Sequence, residues 1–220
     1  PSLALAEGGF NPAVFHIGNL VLHTLTVLTV FMILRIVVRH DWAALVGALL
    51  FGLHPLQSES VGWITDTRGL SSALLGLFAV WLFLQLSGVG DFANDRRSSV
   101  GGALAMTLST VLFVLSLLAK PTAVVFPLVL IVLMAGWKPD GLRRTWPWLL
   151  IWIVAGGICV VISKSPQPDA IIQSLTPLWT RPFIAFDALT FFLYKTILPW
   201  PLAIDYGRSP PVVLGGLWPY

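Results

Sequence analysis

Long apolar runs, each broken off by a short polar segment, govern what this chain can become. From position 12 to 38 the sequence carries one permanently charged side chain, Arg35. A helix of that length, rising about 1.5 Å per residue, reaches across the roughly 30 Å hydrocarbon core of a bilayer. Further apolar runs occupy 42–53, 69–86, 100–119, 122–137, 146–162 and 181–200. The runs at 42–53 and 122–137 are short for a crossing, and Pro127 predicts a kink in the second of them. The last, interrupted by Lys195, Pro199 and Pro201, could cross the membrane or lie along its surface.

Composition agrees with a bilayer setting. The chain is 56% hydrophobic and 10% charged, whereas a soluble domain carries about a quarter charged residues. The expected fold is all-α, a polytopic transmembrane helix bundle in one domain over 1–220. The net charge of +3 is small and its basic residues punctuate apolar runs, so no nucleic-acid partner is expected. The single cysteine, Cys159, lies inside an apolar run and reads as a buried, inert thiol.

Charge placement orients the bundle. Arg35, Arg39, Arg96, Arg97, Lys138, Arg143 and Arg144 fall on one side, leaving Arg68, Lys120, Lys164 and Arg181 on the other. The richer side is cytoplasmic by the positive-inside rule. The segment 54–69, Lys120 and the loop 164–180 then share the external face.

Segment 54–69 is the densest cluster of reactive side chains. It holds His54, Glu59, Asp66 and Arg68 together with Ser58, Ser60, Thr65 and Thr67. Ionisable groups at a membrane boundary are costly and mark function by default. Glu59 could orient an acceptor or take part in acid–base chemistry, and the Arg68 fork suits a phosphate or carboxylate. The bland alternative is a surface loop anchored at the interface by Trp63. Lys120, at a tight corner before Pro121, either meets an anionic head group or simply snorkels. His16, Asn19 and His23 recur at helical spacing and form one polar stripe. Hydrogen bonding between helices explains that stripe better than metal ligation, because the two histidines stand two turns apart. Gly-rich phosphate loops and the HExxH and GxSxG patterns are absent from the sequence.

Several of these residues fall into a recognisable order. Asn11-Pro12 through Phe15-His16, Asn19 and Leu22-His23 resembles an "NPxxFHxxNxxLH" stretch. His54-Pro55 with Glu59-Ser60-Val61 and Trp63 resembles "HPxxxESVxW", with Arg68 at the usual basic position. Leu117 through Lys120-Pro121, Ala123-Val124 and Pro127-Leu128 resembles "LxxKPxAVxxPL". Tyr194-Lys195, Pro199, Leu202 and Tyr206 are similar to a later "YxxK…PxxL…Y" pattern. These belong to the transmembrane and tetratricopeptide-repeat O-mannosyltransferase-like family of GT-C superfamily glycosyltransferases, which includes bacterial relatives.

The resemblance implies a polytopic hexosyltransferase using a polyprenyl-phosphate-linked sugar donor. An acceptor hydroxyl on a protein or glycan attacks the anomeric carbon with inversion on the external face, which for a bacterial-type member is the periplasmic side of the inner membrane. His54, Glu59, Arg68, Lys120 and Arg181 are the expected substrate-binding residues, with Arg68 and Lys120 facing the leaving phosphate. His16, Asn19 and His23 are the supporting stripe. No cofactor is required by the pattern, and a divalent metal is left open. The family's catalytic carboxylate lies in a loop before the first motif, where this chain carries Glu7, read as a tail residue of that loop. The base, a first span and tetratricopeptide repeats are therefore expected outside 1–220, and an inactive fragment is expected. A transporter or flippase for a lipid-linked or small substrate is the competing reading, and it predicts repeat symmetry that the sequence does not display.

Overall fold

The computed structural model describes residues 12–87, 99–137, 139–164 and 178–200. Glu7, Asn11, Arg96, Arg97, Lys138 and Tyr206 lie outside these residues. Among them the fold is helical throughout. The helices are α1 (Pro12–Val38), α2 (Asp41–Gly52), α3 (Gln57–Gly62), α4 (Thr67–Leu86), α5 (Ser99–Ala119), α6 (Phe126–Trp137), α7 (Pro139–Lys164) and α8 (Arg181–Ile197). Short 3₁₀ turns at Ile64–Asp66, Pro121–Val125 and Leu178–Thr180 precede α4, α6 and α8.

Four of these helices, covering Ala13–Val38, Thr67–Leu86, Gly102–Ala119 and Pro139–Ser163, are long and apolar enough to cross a membrane. They belong to an integral membrane protein. The expected seven segments thus become four of spanning length, with α2 and α6 as shorter apolar helices and α8 outside both classes. At 12 residues each, α2 and α6 reach only about 18 Å, well short of a crossing.

The chain divides into two compact units, Pro1–Ser163 and Lys164–Tyr220. In the first, α1 and α2 form a hairpin whose turn is set by electrostatics and backbone shape. Arg39 takes a left-handed conformation, with φ of 56°. His40 Nδ1 then accepts from the Ala43 amide at 3.3 Å, capping α2. Arg35 in the last turn of α1 donates to Asp41 in the first turn of α2 at 2.7 Å, each charge opposing its helix dipole. The helices lie close because α2 shows α1 a small-residue face. A methyl added at Gly47 would press on Leu34, and one at Gly52 on Val27.

Helix α4 is the centre of this unit, with Leu70, Ser72, Gly76, Ala79, Val80, Phe83 and Leu84 buried. Against α5 it makes reciprocal bonds: Ser72 Oγ donates to the Ser116 carbonyl at 2.9 Å, and Ser116 Oγ to the Ser72 carbonyl at 2.7 Å. Lower down, Ser109 Oγ donates to the Ala79 carbonyl at 2.8 Å. Serine hydroxyls are short enough to bridge two backbones at close approach, as small-residue interfaces in membranes do. The aromatic core is Phe113 stacked on Trp152, with centroids 4.2 Å apart and planes at 4°, and Phe83 edge-on to Trp152. Trp152 satisfies its indole N–H on Thr110 Oγ1 at 3.1 Å, so a fully buried tryptophan leaves no polar group stranded.

Two expectations change. Pro127 does not kink a span: it occupies the first turn of α6, where its missing N–H would have no intrahelical partner. The segment 138–145, expected as a connection before a span at 146, is already helix from Pro139, so Pro147 rather than Pro127 lies inside a long helix.

Helix directions sort the charges into two ends. Trp152 meets Thr110, and Cys159 Sγ approaches the Leu117 carbonyl at 3.9 Å, so α7 runs parallel to α5. Arg143 and Arg144 therefore lie at the end opposite Lys120. Helix α1 carries Asn19 to the Lys120 end and Arg35 to the far one. In the second unit, α8 buries Asp187 and Lys195 and exposes Phe183, Phe186 and Phe192. The Lys195 ammonium sits 5.8 Å from the Phe191 ring and 5.6 Å from that of Tyr194.

Candidate functional site

The polar end of the first unit is assembled around the start of α4. Residues 54–66 must reverse direction twice between α2 and α4, and local bonds fix each reversal. His54 Nδ1 accepts from the Leu56 amide at 3.3 Å, and Ser58 Oγ donates to the Pro55 carbonyl at 2.6 Å. The Trp63 amide donates to the Glu59 carbonyl at 2.9 Å, closing α3. Asn19, fully buried on α1, then clamps the segment from the side. Its amide nitrogen donates to the Trp63 carbonyl at 2.9 Å, while its carbonyl oxygen accepts from Thr67 Oγ1 at 2.8 Å. One turn further on, His23 Nε2–H donates to the Gly52 carbonyl at 3.0 Å, the only sense possible toward a carbonyl.

The second wall comes from the corner after α5. Pro121 pushes Lys120 into an extended conformation, φ −154° and ψ 123°. That ends α5 and turns the lysine side chain toward α4. Lys120 Nζ meets Asp66 Oδ1 at 3.2 Å. Asp66 stands at the N-cap position of α4 but makes no side-chain capping bond to it; its carboxylate goes to Lys120 instead. Gly69 makes this possible, because a methyl there would overlap the Asp66 carboxylate.

Between these walls lies a cavity of about 310 Å³. His23, Gln57, Ser60, Asp66, Lys120 and Thr122 give it polar groups, and Phe51, Leu70 and Phe126 are among its apolar lining. Lys120 is 42% and Asp66 27% exposed at the side chain, so the pair is reachable. A half-open apolar cavity with one ion pair suits a ligand that has a charged head and a greasy body.

The residues singled out from sequence separate here. Lys120 and His23 line the cavity, and Asn19 holds its rim in place. His16, on the same stripe, is exposed. His54, Glu59 and Arg68 do not line it: His54 is half-buried within its own turn, and Glu59 and Arg68 are exposed. Arg181 is exposed at the start of α8 in the second unit. The acidic group that joins Lys120 is Asp66, which sequence reasoning passed over in favour of Glu59. Its signal was present in Asp66-Thr67-Arg68-Gly69: an acidic residue at a helix start, with glycine three positions later. Among the described residues no three His, Cys, Asp or Glu side chains gather as a metal site, and Asp66 is the one carboxylate on the cavity wall.

Comparison with known proteins gives distant homology. The chain is 26% identical to the protein O-mannosyl-transferase Tmtc2 of Drosophila melanogaster over 97% of its own length and 24% of that protein. It is 34% identical to the protein O-mannosyl-transferase TMTC1 of Homo sapiens over 50% of its length and 12% of the relative. The corresponding mouse protein is 31% identical over 53% of the chain and 12% of its own length. The chain thus spans a quarter or less of these relatives. No protein-family model and no solved structure matches it.

Proposed function

We propose that this chain is part of a membrane glycosyltransferase that moves a sugar, mannose by its homology, from a polyprenyl-phosphate donor to an acceptor hydroxyl on a protein. The observation that carries the proposal is the cavity holding Lys120 and Asp66, found in a chain homologous to protein O-mannosyl-transferases along 97% of its length. The end of the bundle opposite Arg35, Arg39, Arg143 and Arg144 is then the external one, following the positive-inside rule.

In this reading the polyprenyl chain lies along the exposed apolar sides of the helices and the phosphate enters the cavity beside Lys120. The acceptor oxygen bonds to the anomeric carbon as the bond from that carbon to the phosphate oxygen breaks. The hydroxyl proton passes to a carboxylate base, and the electron pair leaves with the lipid phosphate. Charge builds on the phosphate as it departs, and a fixed ammonium stabilises that charge more than it stabilises the bound diester. Arg68, exposed two residues from Asp66, is a peripheral cation that draws the donor in. The GT-C architecture and inversion at the anomeric carbon complete the reading.

The test is direct. Membranes containing the full-length protein are incubated with polyprenyl-phosphate mannose and a Ser/Thr-rich acceptor, and mannose on the acceptor is measured. Transfer that disappears with Lys120→Met supports the reading. Transfer from a sugar nucleotide without lipid, or no transfer from any polyprenyl-phosphate sugar, rejects it.

A further inference from the structure

Lys120 is the one permanently cationic side chain on the cavity wall among the described residues, and it is already paired. We propose that Asp66 is a positioning residue that holds the Lys120 ammonium in the empty cavity, hands it to an incoming lipid-linked phosphate, and reclaims it as the sugar-free lipid phosphate departs. The identity of the lipid rests on the transferase reading; the exchange rests on geometry.

Three features make the pair exchangeable. The contact is a single 3.2 Å bond between side chains 42% and 27% exposed, and a pair this open to water contributes little to stability. A buried pair would instead hold its ammonium too firmly to release it. A phosphate offers more charge and more acceptor oxygens than one carboxylate oxygen, so it outcompetes Asp66 for the ammonium.

The displaced carboxylate also has somewhere to go. Asp66 occupies the N-cap position of α4 while leaving that helix without a side-chain cap. Gly69, three residues on, already lets the carboxylate lie against the first turn, in the volume a methyl would take. A rotation about the Asp66 side chain brings its carboxylate onto the first-turn amides, where a negative charge is favoured. Asp66 thus has two partners, Lys120 in the empty site and α4 in the occupied one. Without it, nothing would draw Lys120 back from the lipid phosphate left after transfer.

The probe is sugar-free polyprenyl phosphate, measured by equilibrium binding to purified full-length protein in nanodiscs, with inorganic phosphate as a parallel competitor. Asp66→Asn keeps the shape and removes the competing charge, so the lipid phosphate should bind about fivefold tighter. In a Lys120→Met background the same substitution should change nothing. Gly69→Ala, which crowds the carboxylate, should tighten binding in the same direction and serves if Asp66→Asn folds poorly. A gain confined to the lipid assigns a carrier-lipid head group; a gain shared by inorganic phosphate keeps the exchange and assigns phosphate itself. Unchanged or weaker binding by folded Asp66→Asn overturns the proposal, as does an equal gain without Lys120. No sugar transfer by the unsubstituted protein, alongside the fivefold gain in Asp66→Asn, discards the transferase reading alone, whereas transfer without the gain discards only the exchange.

Discussion

Asn19 and Trp63 are 44 positions apart, yet the Asn19 amide nitrogen donates to the Trp63 carbonyl at 2.9 Å. With the Thr67 bond to its oxygen, this one buried side chain ties α1 to the segment that carries Asp66. The connection passes to Lys120 through Asp66, so the cavity depends on a residue that is not part of its lining.

Asn19→Leu should therefore loosen the site as well as the bundle. It removes a donor and an acceptor, leaving the Trp63 carbonyl with the Asp66 amide alone and cutting the bond that ties the Thr67 hydroxyl to α1. The expected destabilisation is about 1–2 kcal/mol, read as a lower melting temperature of the full-length protein in detergent. His16→Ala, on the exposed side of the same helix, should leave that temperature unchanged within error. Equal effects of the two substitutions would mean that Asn19 is not the clamp.

Gly76 faces Phe126 so closely that an added methyl would overlap the aromatic ring. Gly76→Ala should destabilise by about 1–3 kcal/mol through overpacking, and Phe126→Leu in the same chain should recover part of the loss. Recovery, measured as a coupling between the two substitutions in thermal melts, identifies the contact that seats α6 on α4. Purely additive effects would argue against that contact.

Trp152 is fully buried between Phe83 and Phe113. Trp152→Ala removes the largest side chain in the core and the bond that Thr110 Oγ1 accepts, though that hydroxyl keeps its own bond to the Met106 carbonyl. About 3–5 kcal/mol of stability should go with it, enough to lower the yield of folded protein severely. Trp152→Phe keeps the stacking and loses the hydrogen bond, and should retain most of the yield.

Much of this organisation is legible in the chain, for physical reasons that also mark where legibility ends. The span at 12–38 coincides with α1 because a long apolar run admits few conformations in lipid. The stripe of His16, Asn19 and His23 has the right period, but period alone does not say which members meet a neighbour; α2 and the 63–67 segment choose Asn19 and His23. Glu59 and Asp66 look equivalent as isolated carboxylates. Only the corner at Lys120-Pro121, folded back through the paired serines Ser72 and Ser116, distinguishes them. Pro127 looked like a kink because the preceding 3₁₀ turn has the same apolar composition as the helix that follows.

Lys120 and Arg68 offer the sharpest contrast for the proposed transfer. Both are cations near the start of α4, but Lys120 lines the cavity and Arg68 is exposed. A charge inside a partly apolar cavity acts at short range on the departing phosphate, whereas an exposed one acts over a screened distance. Lys120→Met should therefore cut kcat by about a hundredfold, the loss of one stabilising contact in the transition state. Arg68→Met should leave kcat nearly intact and raise KM about two- to fivefold, with the difference vanishing as salt is added. Lys120→Arg keeps the charge but lengthens the reach and replaces a point charge by a fork, so it should restore only part of the rate. Turnover of polyprenyl-phosphate mannose by the full-length protein at low and high ionic strength separates the two roles. A salt-insensitive kcat loss at Arg68, with Lys120→Met near wild type, would exchange the assignments and move the leaving-group site out of the cavity.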